Sequence, residues 1–322
     1  MKILITGATG MVGAAIAKKL ALAGEEVTIL ARSPEKAKTL FTETLDIRKG
    51  DVTDKDSLEQ AVKGKDIVYH AAGLPEQWFR DPSIFTKTNV DGTRNVLDVS
   101  LRSGVKRVVY TSTIDVFQAE AGQKYDESIL DPNPKGTYYE RSKQEADRIA
   151  VEYLNKGLDI VFTHPSGVFG TGPSSSPGTN GFIKDLILGK IPMLLPGGFP
   201  VVFSEDCADG HILAAKKAKT GARYILSDTY LSLSDFAKLV SEIRPLKKIP
   251  KVMPLGLAKT VSIVGEAVSF VIGKPPLLPK GQLHFMQWQA IPVADKAKTE
   301  LGWKPLPTKE AVSLTIKNLF PE

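Results

Sequence analysis

The junction between the first two patterned segments limits the possible folds of this chain more than any other feature. An apolar run, Lys2-Ile3-Leu4-Ile5-Thr6, leads through Gly7-Ala8-Thr9-Gly10-Met11-Val12-Gly13 into an alanine-rich helical stretch, and a second apolar run, Glu26 to Ala31, follows. Strand, glycine-rich turn, helix and strand in that order make a βαβ unit, whose crossover requires a parallel sheet. The spacing G-x-x-G-x-x-G gives the glycines three tasks: a tight turn, close approach of a pyrophosphate to the backbone, and close seating of the helix on the sheet. The helix N-terminus then offers unpaired N–H groups to the phosphate. Gly7, Thr9, Gly10, Met11, Val12 and Gly13 are therefore the expected dinucleotide contacts.

Further β-like runs occupy 44–52, 66–72, 106–113, 159–165 and 222–227, with helical patterns at 57–64, 89–104 and from Tyr139 to Asn155 among them. This alternation predicts an α/β fold, a Rossmann-type doubly wound parallel sheet with a smaller C-terminal substrate lobe. The texture changes after Pro165: 171–181 reads TGPSSSPGTNG, and prolines recur at 245, 250, 254, 275, 276 and 279. The expected division is a dinucleotide-binding core over 1–165, with a returning strand near 222–227, and a mainly substrate-binding lobe over 166–322.

Composition excludes several classes. With 322 residues, 42% of them hydrophobic, the chain can bury a substantial core. One cysteine, Cys207, leaves no internal disulfide, and His70, His164, His211 and His284 have no metal-ligand spacing, so no metal is expected. The net charge of +6 is spread without an arginine-rich block, which argues against nucleic acid and for some attraction to anions. The apolar amino terminus carries glycines at 7, 10 and 13 and no usual cleavage region, so it is not expected to be a signal peptide and the location is expected to be cytoplasmic. The apolar stretch 252–273 contains Lys259 and Glu266, which argues against an integral span. Leu257, Val261, Val264, Val268 and Val271 share one helical face opposite Lys259, Ser262, Glu266 and Ser269. That periodicity predicts an amphipathic helix packed on the core by its apolar face, a lid over an apolar substrate, or a peripheral membrane contact.

Selection of the adenosine ribose falls at the end of the second strand, where a carboxylate would bind two hydroxyls and repel a 2′-phosphate. Here the chain reads Ile29-Leu30-Ala31-Arg32-Ser33, with no acid. Arg32, with Ser33 and Lys36, can hold a 2′-phosphate by charge-assisted bonds, which predicts NADP(H). Asp51 and Val52, ending the third β run, are placed to meet the adenine edge.

Tyr139 and Lys143 stand four apart, on one helical face, whereas Tyr138 has Ser142 at that offset. A phenol with a pKa near 10 is a poor base at neutral pH, and a nearby ammonium favours its phenolate. Such a pair also arises by chance, so its surroundings decide.

Six elements in order resemble the extended short-chain dehydrogenase/reductase superfamily over nearly the whole chain. TGATGMVG resembles its cofactor loop, Asp51-Val52 its adenine contact and His70-Ala71-Ala72-Gly73 the end of its fourth strand. NVDGT at 89–93 resembles its asparagine-bearing helix, YTSTIDVF at 110–117 its hydroxyl segment, and Tyr139-x-x-x-Lys143 its active-site pair. The resemblance implies Tyr139 as acid/base and Lys143 as its tuner and a ligand of the nicotinamide ribose. It adds Ala71, Ala72 and Pro165 to the cofactor set. The substrate-holding hydroxyl is Thr113 by position, Ser112 being the alternative and Thr111 the least favoured. Asn89 is expected to bond main chain, and His70 to be a packed strand-end residue.

The superfamily holds reductases as well as sugar-nucleotide epimerases and dehydratases. The stretch His164 to Gly172 lacks the arginine that sugar-nucleotide members resemble there, and Phe199 to Ala208 has no basic residue to meet a diphosphate. The apolar segments 181–203, 252–273 and 283–289 resemble the dihydroflavonol reductase and 3β-hydroxysteroid dehydrogenase branch. The expectation is an NADP(H)-dependent reductase or dehydrogenase for an apolar ketone or alcohol. The alternatives are a sugar-nucleotide epimerase with tightly held NAD and a cofactor-binding protein without turnover. Helices at 89–104 and 137–155 match those that relatives pair in homodimers.

Overall fold

The structure, a computed structural model, describes residues 1–43, 45–173 and 178–321. Its strands are β1 (Lys2–Thr6), β2 (Glu26–Ala31), β3 (Asp46–Lys49), β4 (Ile67–His70), β5 (Arg107–Thr111), β6 (Lys124–Tyr125), β7 (Ile160–Pro165), β8 (Gly167–Phe169), β9 (Gly198–Phe203), β10 (Arg223–Leu226), β11 (Thr229–Ser232) and β12 (Ile291–Pro292). A seven-stranded sheet has the order β10-β7-β5-β4-β1-β2-β3, with every pairing parallel. The order reverses between β1 and β4, and the crevice outside the strand ends at that point is where such sheets take ligands.

Both faces of the sheet are covered, which is why its strands read as continuous apolar runs. Ile3, Leu4, Ile5, Val108, Val109, Ile160 and Val161 are fully buried; each such side chain contributes about 1.5–3 kcal/mol relative to exposure. Helices Met11–Leu22 and Ser204–Lys217 pack together on one face. Helices Lys55–Val62, Gly92–Arg102 and Tyr138–Asn155 pack side by side on the other. The expected helix over 89–104 begins instead as a π-helical turn, Thr86–Asp91, that runs on into Gly92–Arg102.

The chain interleaves core and lobe. After β8 and β9 have begun the lobe, helix Ser204–Lys217 packs on the main sheet and β10, the strand expected to return near 222–227, joins its edge. The lobe contains the sheet β11-β9-β8, and β6 from the first half pairs with β12 near the end. Of the glycine- and serine-rich stretch 171–181, residues 174–177 lie outside the described residues, and 178–181 already belong to the helix Gly178–Ile187. There Asn180 takes the place of a loop residue by bonding both backbone groups of Gly170, at 3.0 and 2.7 Å.

Candidate active site

The glycine turn after β1 is as close-packed as its spacing demands. Gly7 has φ +79° and its N–H partner geometry is closed by Gly10 N–H donating to Gly7 O at 2.9 Å. A Cβ on Gly7 would lie 2.5 Å from the backbone of Ala71 and Ala72, and one on Gly13 would lie 2.7 Å from the Gly7 carbonyl carbon. Ala71 and Ala72 thus wall the turn. The helix begins at Met11 with Gly10 as its N-cap, no side-chain cap and no acid in its first turn. Its first N–H groups face no competing side-chain acceptor of the cap, and the cradle fits a pyrophosphate.

Arg32 and Ser33 are exposed where β2 ends. The Ser33 hydroxyl accepts from Lys36 N–H at 3.4 Å and so caps the short helix Pro34–Lys38. Asp51 Oδ1 accepts from both the N–H and the hydroxyl of Thr53, each at 2.9 Å. The Val52 side chain is buried in the core against Gly92, and its carbonyl accepts from Asn95. Pro165 is buried at the end of β7.

Thr137 caps the helix Tyr138–Asn155: its hydroxyl accepts from Glu140 N–H at 3.1 Å, and Glu140 Oε2 accepts from Thr137 N–H at 2.8 Å. This capping box fixes the first turn, and with it both tyrosines. Tyr138 is exposed with Arg141 over its ring, at 4.7 Å. Tyr139 is half-buried between Phe85, 6.2 Å away, and Phe285, 6.1 Å away, with its phenol beside the Thr113 hydroxyl. Thr113 Oγ1 also donates to Asp115 Oδ2 at 2.6 Å.

Ser112 points elsewhere. Its hydroxyl donates to Asp147 at 2.7 Å, and Asp147 is ion-paired with Arg223 from β10, also at 2.7 Å. Ser112 therefore belongs to a buried network behind β5, which sets it aside as the substrate-holding hydroxyl. Thr111 bonds His211 at 3.0 Å. His164, standing where sugar-nucleotide enzymes would carry arginine, is buried, contacts the Thr113 carbonyl at 3.0 Å and Arg223 at 3.3 Å, and is held neutral with its pKa lowered to about 3 by burial.

The electrostatics of the tyrosine–lysine pair run against the simple expectation. Lys143 is buried, donates to the Thr111 carbonyl at 2.9 Å, and has its pKa lowered to about 8 by burial. The Tyr139 phenol is pushed far up, first by burial and then by the carboxyls of Asp115, Glu76 and Glu140. Without a counter-charge closer than these, the ammonium does not bring the phenol into the neutral range. Burial raises Asp115 to about 7 and Glu76 to about 7, and each has one buried oxygen with no hydrogen-bond partner in the protein.

Asp115 and Glu76 are what sequence reasoning missed. Asp115 carried a signal, an acid inside the otherwise apolar Ile114-Asp115-Val116-Phe117. Glu76 carried none, since only tertiary packing brings it beside Gly281 of the helix Lys280–Trp288. That helix also sets His284 3.4 Å from Glu140 and Phe285 against Tyr139, so the lobe closes one side of the site. Asn89 grips Leu74 by both backbone groups, at 2.7 and 3.2 Å, and reaches Ser142 at 2.9 Å. His70 is buried between Thr6 and Thr93, at 2.8 and 3.0 Å, and kept neutral. Among the described residues no His, Cys, Asp or Glu cluster is arranged to hold a metal ion.

The fold agrees with comparison to known proteins. Residues 3–226 match the NAD dependent epimerase/dehydratase family, and the chain belongs to it. It is 31% identical over 316 residues to a putative dihydroflavonol 4-reductase of Synechocystis sp., covering 96% of this chain and 92% of that protein. It is 27% identical over 263 residues to sterol demethylase protein B of Methylococcus capsulatus, covering 80% of each. The crystal structure of gox2253 superposes with a TM-score of 0.83 at 29% identity, over 98% of this chain and 96% of that one. The resemblance to extended short-chain dehydrogenases/reductases holds, and with it the nicotinamide dinucleotide as the family's cofactor.

Proposed function

We propose that this protein is an NADP(H)-dependent oxidoreductase that interconverts a ketone and a secondary alcohol on a fairly apolar small molecule of steroid, flavonoid, terpenoid or lipid-like kind. The observation that carries the reading is the Tyr139 phenol, beside Thr113 and walled by Phe85 and Phe285. Aromatic walls with a few fixed polar groups favour a substrate of low charge. The names of the flavonoid and sterol relatives support the same class.

The turn Gly7 to Gly13 would hold the pyrophosphate, Lys143 the nicotinamide ribose, and Arg32 a 2′-phosphate, with no acid from Ile29 to Ser33. When bound, the nicotinamide supplies hydride chemistry. The chain governs the oxygen. A carbonyl oxygen seated between Tyr139 and Thr113 gains negative charge as its carbon is reduced; the Thr113 hydroxyl, turned from Asp115 to that oxygen, would stabilise the charge while Tyr139 delivers its proton. A phenol held well above its ordinary pKa stays protonated at neutral pH and yields its proton only to a strong base such as an alkoxide.

The test is nicotinamide absorbance over time with NADPH or NADH and a panel of steroid, flavonoid and simple apolar ketones. Loss of NADPH, faster than of NADH, is the expected result. Conversion of a nucleotide sugar without net cofactor consumption would replace this reading with that of an epimerase.

A further inference from the structure

Helix Leu255–Ile272 is mounted inside out. Its inward face is small and polar: Ala258, Ser262 and Ser269 are buried, and the Ser262 hydroxyl has no partner in the protein. Ile263, Val264, Val268, Phe270 and Val271 stand exposed, Val271 at 84%, and Leu277 just beyond the helix at 90%. This reverses the packing that the periodicity of 252–273 predicts for a helix surrounded by water, where apolar faces turn inward and serines outward. The helix has a mean hydropathy of 1.6 and is long and apolar enough to cross a membrane, yet it is anchored along the protein at both ends. Before it, Leu194 and the segment Lys251–Met253 exchange backbone bonds of 2.9 and 2.8 Å; after it, Leu278 and Leu283 are buried against Ala258. Trp78 meets Phe270 edge-on at 6.0 Å, which ties the helix to the loop that carries Glu76 into the site.

Charge around the patch has one sign. Lys247, Lys248, Lys251, Lys259, Lys274 and Lys280 are all exposed. Glu266, the one acid between 247 and 282, is mostly buried and paired with Lys280 at 3.3 Å. An exposed apolar strip bordered by lysines is complementary to hydrocarbon beneath anionic headgroups. We infer that this surface docks on an anionic lipid bilayer, the helix lying in the plane of the interface with Val271 and Leu277 inserted and the lysines at headgroup level. Docking concerns this surface alone and stands apart from the chemistry proposed for Tyr139.

The experiment is flotation of the 322-residue chain with phosphatidylcholine vesicles, with and without phosphatidylglycerol, beside a V271E/L277E double variant whose changes fall on exposed positions and whose fold is checked by circular dichroism. The chain is expected to float with the phosphatidylglycerol vesicles about tenfold more than with phosphatidylcholine alone, less at high salt, and the double variant to remain in the dense fraction. A chain that stays in the dense fraction with both compositions overturns the inference. So does a dimer in analytical ultracentrifugation that the double variant converts to monomer while neither floats, which would assign the face to a second copy. The measurement uses no turnover, so a chain that floats but reduces no ketone would count against the reductase reading alone.

Discussion

The Thr113 hydroxyl, beside the Tyr139 phenol, donates to Asp115 Oδ2 across 2.6 Å. The proton donor thus stands next to a hydroxyl held by a buried carboxyl whose pKa burial raises to about 7. A carboxyl with a folded-state pKa above its unfolded value of 3.8 favours folding in its protonated form. Its contribution is therefore lost as pH rises from about 4 through about 7. Asp115→Asn removes that loss. The variant should gain on the wild type by on the order of 2 kcal/mol between pH 5 and pH 8, measured by urea denaturation at both pH values, and the limb of the kcat profile near pH 7 should flatten. An equal stability difference at the two pH values would show that Asp115 does not titrate there.

Tyr139→Phe keeps the ring between Phe85 and Phe285 and deletes the proton. Turnover should fall by roughly 10²–10⁴, with NADPH binding, read by fluorescence titration, unchanged within about twofold. Activity close to wild type would remove Tyr139 from the mechanism.

The two neighbouring hydroxyls should part company. Thr113→Val should lower kcat/KM by roughly 10²–10³, the cost of a lost donor at a developing oxyanion. Ser112→Ala should leave kcat within about twofold and cost about 1–3 kcal/mol of stability, since it deprives the buried Asp147 of a donor. Steady-state kinetics and thermal melts on the pair separate the roles, and the reverse pattern would exchange them.

Arg32→Ala should raise KM for NADPH about tenfold, the worth of a charge-assisted bond to phosphate, and leave KM for NADH nearly unchanged. Equal effects on both would mean that Arg32 reads no 2′-phosphate.

Local rules made the sheet legible. Residues 2–6, 26–31, 107–111 and 160–165 are strands close to where apolar runs bounded by turns place them, and Thr137 with Glu140 starts the Tyr139 helix by a capping box visible as Thr-x-x-Glu. The pieces that went unread depend on distant partners. β6 is two residues long and exists by pairing with β12, more than 160 residues away. Glu76 enters the site on a loop whose position is set by the lobe, and the 255–272 helix has the expected periodicity with the opposite face inward, because period fixes which residues share a face and says nothing of what surrounds it. Spacing sets Lys143 one helical turn from Tyr139 but does not disclose the burial and the carboxyls of Asp115, Glu76 and Glu140 that push the phenol up.

β10 is the last strand of the main sheet to be synthesised, and it supplies Arg223, the cation of Asp147. Until residue 223 has left the ribosome, β7 has an open edge and Asp147, which positions Ser112 behind the reactive strand, has no counter-charge. A nascent chain that ends after β7 therefore cannot close its sheet, however complete its cofactor turn, and the non-local pairing that completes it is the slow kind. The strand edge next to the chemistry is finished last, by a stretch of chain that follows β8 and β9 of the lobe and precedes the rest of it.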